Sequence, residues 1–312
     1  MSRSAVMISY KKMNKEKDIK ANLFRVVGDV ATLVQVDYID KNVVEHNGLF
    51  IVDSGSTENV LSHEMAEIIA PNNHSDEEPA SILTSSGDTI HGEYAQFNFV
   101  LGGKQFNERF CITEKEIPEY VKGYHLLGII GIPFLVKHNL VIDFSDYTLH
   151  TSTITPESLS ISDCDYFVPM ELGFKHYGLP IVFWGKENEE ILVLADTGST
   201  HNVIASKTLT SYSLEYQELK SVDTVFGLGG STETKEAMVH FDLLTLNDGD
   251  GDVGRITRKD LFKVQDEYFY NPDAGKNSSE ALPPIEAVLG VPFMAKENWV
   301  LDFCMGIIYI HK

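Results

Sequence analysis

Short apolar runs separated by turn residues dominate this chain. ATLVQVDYI (31–39), YAQFNFVL (94–101) and LPIVFW (179–184) are rich in β-branched and aromatic residues, and Gly, Asn, Asp and Ser cluster between such runs. Runs of this length bounded by turn residues are typical of β-strands. The pattern predicts a mainly β protein with few helices.

Two segments of this pattern occur twice. IVDSGSTENVL (51–61) matches VLADTGSTHNVI (193–204) at an offset of 143, with six of nine positions identical from the Asp onward. GIPFLVKHNLVIDF (131–144) matches GVPFMAKENWVLDF (290–303) at an offset of 159, with eight of fourteen positions identical. The chain therefore contains an internal repeat, and its second copy holds 16 more residues between the two segments. We place the excess in two turn-rich stretches, NDGDGDVGRITRKD and NPDAGKNSSEALPP.

Each copy predicts the same order of elements. An apolar strand ends at an Asp-Ser/Thr-Gly turn, a glycine-containing hairpin and further strands follow, and a short helix leads into the last strand. Pro133 and Pro292 are suited to the first helical turn, and Asn139 and Asn298 to the helix stop. We predict a basic N-terminal arm at 1–22, a first half at 23–150, a linker at 151–163 and a second half at 164–312.

Composition narrows the function classes. The 312 residues carry a net charge of −21, which argues against a nucleic-acid partner because phosphate contacts need a basic face. The three cysteines (Cys111, Cys164 and Cys304) are too few and too widely spaced to indicate a disulfide framework or a zinc site. We find neither a secretory signal nor an apolar stretch long enough to span a bilayer, so we expect a cytoplasmic protein without a membrane partner.

Each of the two repeated turns carries one aspartate carboxylate. Gly55 and Gly198 permit tight turns at Asp53 and Asp196. If the halves pack about a two-fold axis, the carboxylates meet there and share a proton, because like charges so close together cannot both ionise. One carboxylate can then accept a proton from water while the other donates to a substrate carbonyl. The hydroxyls of two further residues, Ser56 and Ser199, can donate to the carboxylates.

With these motifs the chain resembles a retropepsin-like aspartic protease. It resembles two such domains fused in tandem. The matching residues are Asp53-Ser54-Gly55-Ser56, Asp196-Thr197-Gly198-Ser199 and the downstream segments IIGIPFL and VLGVPFM. The resemblance implies two closed-barrel-like acid-protease lobes related by a pseudo-two-fold axis, a lytic water held by Asp53 and Asp196, and no cofactor. It also implies that Ser54 and Thr197 hydrogen-bond across the lobe interface, and that Ser56 and Ser199 bond to the outer carboxylate oxygens.

The resemblance further implies flaps that close over an extended peptide or protein substrate. The flap candidates are Ser86, Gly87 and Asp88 in the first copy, and Phe226, Gly229 and Gly230 in the second. Neither candidate carries the tyrosine typical of pepsin-type flaps, although Phe226 could serve in its place. Because one chain holds both halves, we expect a monomer with an intramolecular pseudo-dimer, and mildly acidic pH should suit a singly protonated dyad.

Other motifs favour structural interpretations. Asp143 and Asp302 repeat as well, but they lie within predicted strands, where a polar contact is the expected role. The acidic run NDGDGD lacks the glycine and glutamate of a calcium loop, since Val253 and Lys259 stand at those positions. The scattered histidines support no metal site. His201 takes the place of Glu58 in the second copy and is expected to face solvent, the alternative being that it tunes the dyad.

Two rival interpretations stay open. A chain of the same fold could bind peptides without cleaving them, and the halves could pair between molecules as an obligate dimer. Both copies keep their carboxylate and their hydroxyls, which favours an active aspartic endopeptidase.

Overall fold

A computed structural model describes thirteen stretches of the chain. They are residues 18–25, 32–69, 72–74, 80–83, 89–113, 126–152, 166–170, 172, 178–185, 190–227, 230–246, 253–266 and 284–310.

The described residues are mainly β, as predicted, with four short helices. Before residue 152 the strands are β1 (Lys20–Arg25), β2 (Thr32–Ile39), β3 (Glu45–Val52), β4 (Val60–Ser62), β5 (Asn72–His74), β6 (Ala80–Leu83), β7 (Thr89–Leu101), β8 (Lys104–Thr113), β9 (Leu126–Ile130), β10 (Leu140–Asp143) and β11 (Thr148–Thr151). After it they are β12 (Tyr166–Pro169), β13 (Ile181–Trp184), β14 (Ile191–Ala195), β15 (Val203–Ala205), β16 (Tyr216–Gly227), β17 (Gly230–Leu246), β18 (Val253–Gln265), β19 (Ala287–Leu289), β20 (Trp299–Asp302) and β21 (Ile307–Ile310). The helices are α1 (His63–Ile69), α2 (Ile132–Lys137), α3 (Ser206–Ser211) and α4 (Val291–Lys296).

Six strands of the first copy close into a barrel in the order β2–β3–β9–β4–β8–β7. The β3–β9 and β4–β8 pairs are parallel, and the others are antiparallel. Four phenylalanines pack on one another inside it, namely Phe50, Phe97, Phe99 and Phe110. The inward-facing positions of the apolar runs therefore supply the core of this barrel.

Six strands of the second copy pair in the same cyclic order, β13–β14–β19–β15–β18–β17. The pairs that are parallel in the first copy have parallel counterparts here, β14–β19 and β15–β18. Trp184 stacks on Phe241 with ring centroids 4.1 Å apart, and Phe262 packs edge-on against both rings. The two copies of the repeat thus make the same pairings around different aromatic cores.

A third set of strands joins the two halves, in the order β1–β11–β10–β20–β21–β12. At its centre β10 pairs antiparallel with β20, through Val141 with Asp302, Ile142 with Leu301 and Asp143 with Val300. These positions correspond to one another at the repeat offset, so exchanging the two copies leaves the register unchanged. The strand β1 begins at Lys20, three residues before the predicted start of the first half.

The helix signals in the sequence are confirmed. Pro133 and Pro292 lie in the first turn of α2 and α4. Asn139 and Asn298 follow these helices with positive φ angles of 52° and 50°, a conformation that asparagine tolerates better than most residues. Each helix therefore ends where the sequence predicted, and its chain turns directly into β10 or β20.

Candidate active site

Asp53 and Asp196 lie at the ends of equivalent strands, one residue beyond β3 and β14. The backbone N–H of Asp53 donates to Ile130 O at 2.9 Å, and that of Asp196 donates to Leu289 O at 2.9 Å. The neighbouring strands β9 and β19 therefore fix where each aspartate leaves its barrel.

The two turns face each other at the closest distance that their glycines allow. The N–H groups of Gly55 and Gly198 each donate to Oδ1 of the aspartate two residues earlier, at 2.8 Å. A Cβ atom built on Gly55 would lie 2.6 Å from Asp196 Cγ, and one on Gly198 would lie 2.3 Å from Asp53 Cγ. Any side chain at either glycine would displace the opposite carboxylate, so the turn motif requires glycine at this contact.

Directly beside this contact, the halves exchange four hydrogen bonds through Ser54 and Thr197, both fully buried. The N–H of Ser54 donates to Thr197 Oγ1, and the N–H of Thr197 donates to Ser54 Oγ, each at 3.0 Å. The hydroxyls then donate across the interface, Ser54 to Ala195 O at 2.6 Å and Thr197 to Val52 O at 2.8 Å. The predicted bonds between these two residues are confirmed, and they lie within a single chain.

The predicted role of the next hydroxyls is wrong. Ser56 Oγ donates to Glu58 O and Ser199 Oγ donates to His201 O, each at 2.7 Å. The backbone N–H groups of these serines, rather than their hydroxyls, interact with the carboxylates. The tight turn points its N–H groups at each aspartate, which leaves the hydroxyls to satisfy carbonyls farther along the loop.

Asn59 and Asn202 hold the dyad loops in place, a role that the sequence interpretation missed. Asn59 Oδ1 accepts from Gly131 N at 3.0 Å and its Nδ2 donates to Arg109 O at 3.1 Å. Asn202 does the same, accepting from Gly290 N at 2.9 Å and donating to Leu261 O at 3.1 Å. The signal was present, since this asparagine is one of the identical positions of the repeat.

The dyad carboxylates are half-buried and hydrogen-bonded to each other. Burial, and then the negative charge of Asp196, raise the pKa of Asp53 well above its usual range. Burial also raises the pKa of Asp196, but hydrogen bonds from Asp53 and from the N–H groups of Gly198, Ser199 and Gly55 oppose this rise. Burial and the closeness of the two carboxylates therefore favour protonation of the pair, which titrates as a unit.

The predicted flap residues fall mostly outside the described residues, namely Ser86, Gly87, Asp88 and Gly229. Phe226 lies in β16 and Gly230 begins β17, where it pairs with Gly227, but the Phe226 side chain is outside the described part. In the first half, β6 and β7 pair antiparallel up to Leu83 and Thr89. Both candidate segments thus connect antiparallel strands.

The second repeated acid pair makes structural contacts. Asp143 Oδ1 accepts from the N–H and the hydroxyl of Ser145, at 2.7 and 2.6 Å, in an exposed turn. Asp302 is fully buried and accepts from Ser152 Oγ at 2.7 Å. Neither aspartate contacts the dyad in these bonds, in agreement with the structural role expected of them.

Other classes of site receive no support from the described stretches. Within those stretches, no group of three or more His, Cys, Asp or Glu side chains is placed to hold a metal ion. The run NDGDGD lies outside them. The longest described helix, α1, has seven residues, and none of the described helices is both long and apolar enough to cross a membrane.

Comparison with known proteins leaves the family open. No protein-family model matches the chain. A stretch of 150 residues, 47% of the chain, is 29% identical to elongation factor Ts from two strains of Streptococcus thermophilus, and to elongation factor Ts from Lactococcus lactis subsp. lactis. The chain spans 41% of the length of these curated relatives. At this identity and coverage the similarity does not assign the chain to a family.

Proposed function

We propose that this protein is an aspartic endopeptidase that hydrolyses peptide bonds with a water molecule activated by Asp53 and Asp196. The observation that carries the proposal is the reciprocal contact between the two turns. Each carboxylate lies against the glycine of the other half, and Ser54 and Thr197 exchange hydrogen bonds beside them. This arrangement holds two acids together with one shared proton, which general acid–base hydrolysis of an amide requires.

We further propose that the two copies are acid-protease lobes in tandem, related by a pseudo-two-fold axis through the dyad. The matching cyclic strand orders support this, as does the exchangeable register of β10 and β20. The axis would pass between Ile142 and Leu301 and continue to the carboxylates. In this proposal the active molecule is a monomer, because both carboxylates come from one chain.

In the proposed mechanism one carboxylate of the dyad is protonated and the other is ionised, and we write Asp53 as the protonated member. Asp196 accepts a proton from the water as the water oxygen bonds to the peptide carbonyl carbon. Asp53 gives its proton to the carbonyl oxygen, and a tetrahedral diol results. Asp196 then protonates the departing nitrogen, the C–N bond breaks, and Asp53 takes back the proton of the diol hydroxyl. Each cycle consumes one water and restores the dyad.

The test is cleavage of a peptide library by the native chain, Asp53→Asn and Asp196→Asn. We expect each variant to lose at least about a hundredfold in rate, because general acid–base groups contribute about 10²–10⁴-fold. Asp143→Asn is the matched control, since it removes a half-buried acid whose hydrogen bonds lie in the turn at Ser145, and its rate should equal that of the native protein.

The outcomes separate the proposal from its rivals. Cleavage by Asp53→Asn at the native rate would refute the dyad mechanism. Peptide binding without cleavage by the native chain would identify a peptide-binding protein of this fold. Activity that rises with the square of the protein concentration would indicate sites formed between molecules.

A further inference from the structure

The two dyad loops differ most in charge at one equivalent position, Glu58 and His201. Both residues come five positions after the dyad aspartate, and both carbonyl oxygens accept the hydroxyl of the preceding serine at 2.7 Å. The loop backbones are therefore held in the same way, while one side chain is acidic and the other is an imidazole. Any ligand that lies across both loops meets a different group on each side.

The Glu58 side chain is held by only one of its oxygens. Its Oε1 accepts the hydroxyl of Tyr94 at 2.8 Å, and the side chain is half-buried. Within the described ranges, no Lys, Arg or His side chain forms an ion pair with Glu58. The nearby Arg109 guanidinium lies over the Tyr94 ring, 4.1 Å from its centroid. One carboxylate oxygen of Glu58 thus stays available to a ligand.

The charge of Glu58 affects the pKa values of two neighbouring side chains, Tyr94 and Cys111. Burial, and then the hydrogen bond and the charge of Glu58, raise the pKa of Tyr94 to about 12. Burial, and then the charge of Glu58, raise the pKa of the Cys111 thiol to about 12. The Arg109 guanidinium opposes the rise in the pKa of Tyr94 without cancelling it.

Glu58 connects the first dyad loop to the strand β7. Its backbone belongs to the loop that starts at Asp53, and its carboxylate accepts the hydroxyl of Tyr94 in β7. Because Glu58 lies on the dyad loop itself, we expect a peptide bound across the dyad to pass the free oxygen of Glu58.

We propose that Glu58 binds a lysine or arginine side chain of the substrate, on the first-half side of the cleft only. This inference rests on the proposed function, because it assumes that the peptide lies across the dyad. The second half offers no carboxylate at the matching place, where the His201 ring contacts the Thr200 hydroxyl at 2.9 Å. We therefore expect Glu58 to select a basic substrate residue on only one side of the cleaved bond.

Two measurements test whether Glu58 binds a basic side chain of the substrate. In the first, the native chain cleaves a peptide library and the products are sequenced. In the second, the same library is panned on immobilised Asp53→Asn protein, which reports binding without cleavage. We expect Lys and Arg to be enriched about tenfold or more at one position on one side, as a bond between charged partners predicts.

Glu58→Gln should abolish the enrichment in both readouts, and Glu58→Lys should replace it with enrichment of Asp and Glu. The amide of Glu58→Gln can still accept the Tyr94 hydroxyl, so the fold should be kept. The matched control is Glu67→Gln, which removes an equal charge from the exposed face of α1 and should leave the enrichment intact. This control separates a local contact from general attraction to an acidic protein.

The results distinguish the two proposals. Enrichment that is absent, symmetric about the cut, or unchanged in Glu58→Gln overturns the inference, whatever the cleavage rate. Enrichment that depends on Glu58 in panning, without cleavage by the native chain, keeps the inference as peptide binding and overturns the proposed hydrolysis.

Discussion

The hydrogen bonds beside the dyad should contribute strongly to stability, and Thr197→Val isolates them. Valine keeps the size and branching of threonine but removes the hydroxyl. The Ser54 N–H then loses its acceptor at 3.0 Å, and Val52 O loses its donor at 2.8 Å. Because Thr197 is fully buried, water cannot replace either partner. Leaving buried groups unsatisfied costs about 1–3 kcal/mol each, so we expect a loss of about 2–4 kcal/mol in the free energy of unfolding.

The assay is urea unfolding followed by fluorescence of the two buried tryptophans, Trp184 and Trp299, both in the second half. The midpoint should fall while the slope with urea stays constant, because no surface is newly exposed in the folded state. The control Thr257→Val removes a hydroxyl that donates to Asp242 Oδ1 at 2.7 Å on the exposed surface. We expect that change to cost less than about 0.5 kcal/mol. Equal midpoints for Thr197→Val and Thr257→Val would refute the assigned role.

Two further predictions follow from the site. Both dyad pKa values are raised, so the folded protein keeps a proton that the unfolded chain releases above about pH 4. The free energy of unfolding should therefore fall between pH 4 and pH 7 relative to Asp53→Asn, and urea titrations that give the opposite slope would contradict the shifts. Asn59→Ala and Asn202→Ala should each lower the free energy of unfolding by about 1–3 kcal/mol in the same assay, because each leaves one buried backbone N–H and one part-buried carbonyl without this partner. A large loss in only one of them would show that the two loops are not equivalent.

The dyad itself was predictable because a local motif and its repetition both encode it. Asp53 and Asp196 each follow an apolar strand and precede a glycine, and the turn places the carboxylate at the strand end whatever surrounds it. The serine hydroxyls were not predictable in the same way. A hydroxyl rotates to the best available acceptor, and for Ser56 that acceptor is Glu58 O, whose position depends on the folded loop.

Identical residues at equivalent positions of the two copies also occupy different environments. Asp143 and Asp302 occupy the same place in the repeat and in the β10–β20 register, yet Asp302 is fully buried while Asp143 accepts its bonds in an exposed turn. Asp302 also accepts a hydrogen bond from Ser152, which follows β11 in the chain. The sequence could not predict this contact, because it joins residues 150 positions apart.

The sequence by itself determined the β class, the repeat, the two proline-initiated helices α2 and α4 and the identity of the paired turns, because each depends on residues close together in the chain; it did not predict α1 and α3. The tertiary structure alone decided how the halves meet, namely the reciprocal bonds of Ser54 and Thr197 and the glycine contacts against the opposite carboxylates. These depend on distances between residues about 140 positions apart, which only the closed barrels and their joining sheet fix. The environment of Glu58 likewise depends on the tertiary structure, because its hydrogen-bond partner Tyr94 lies in another strand, β7.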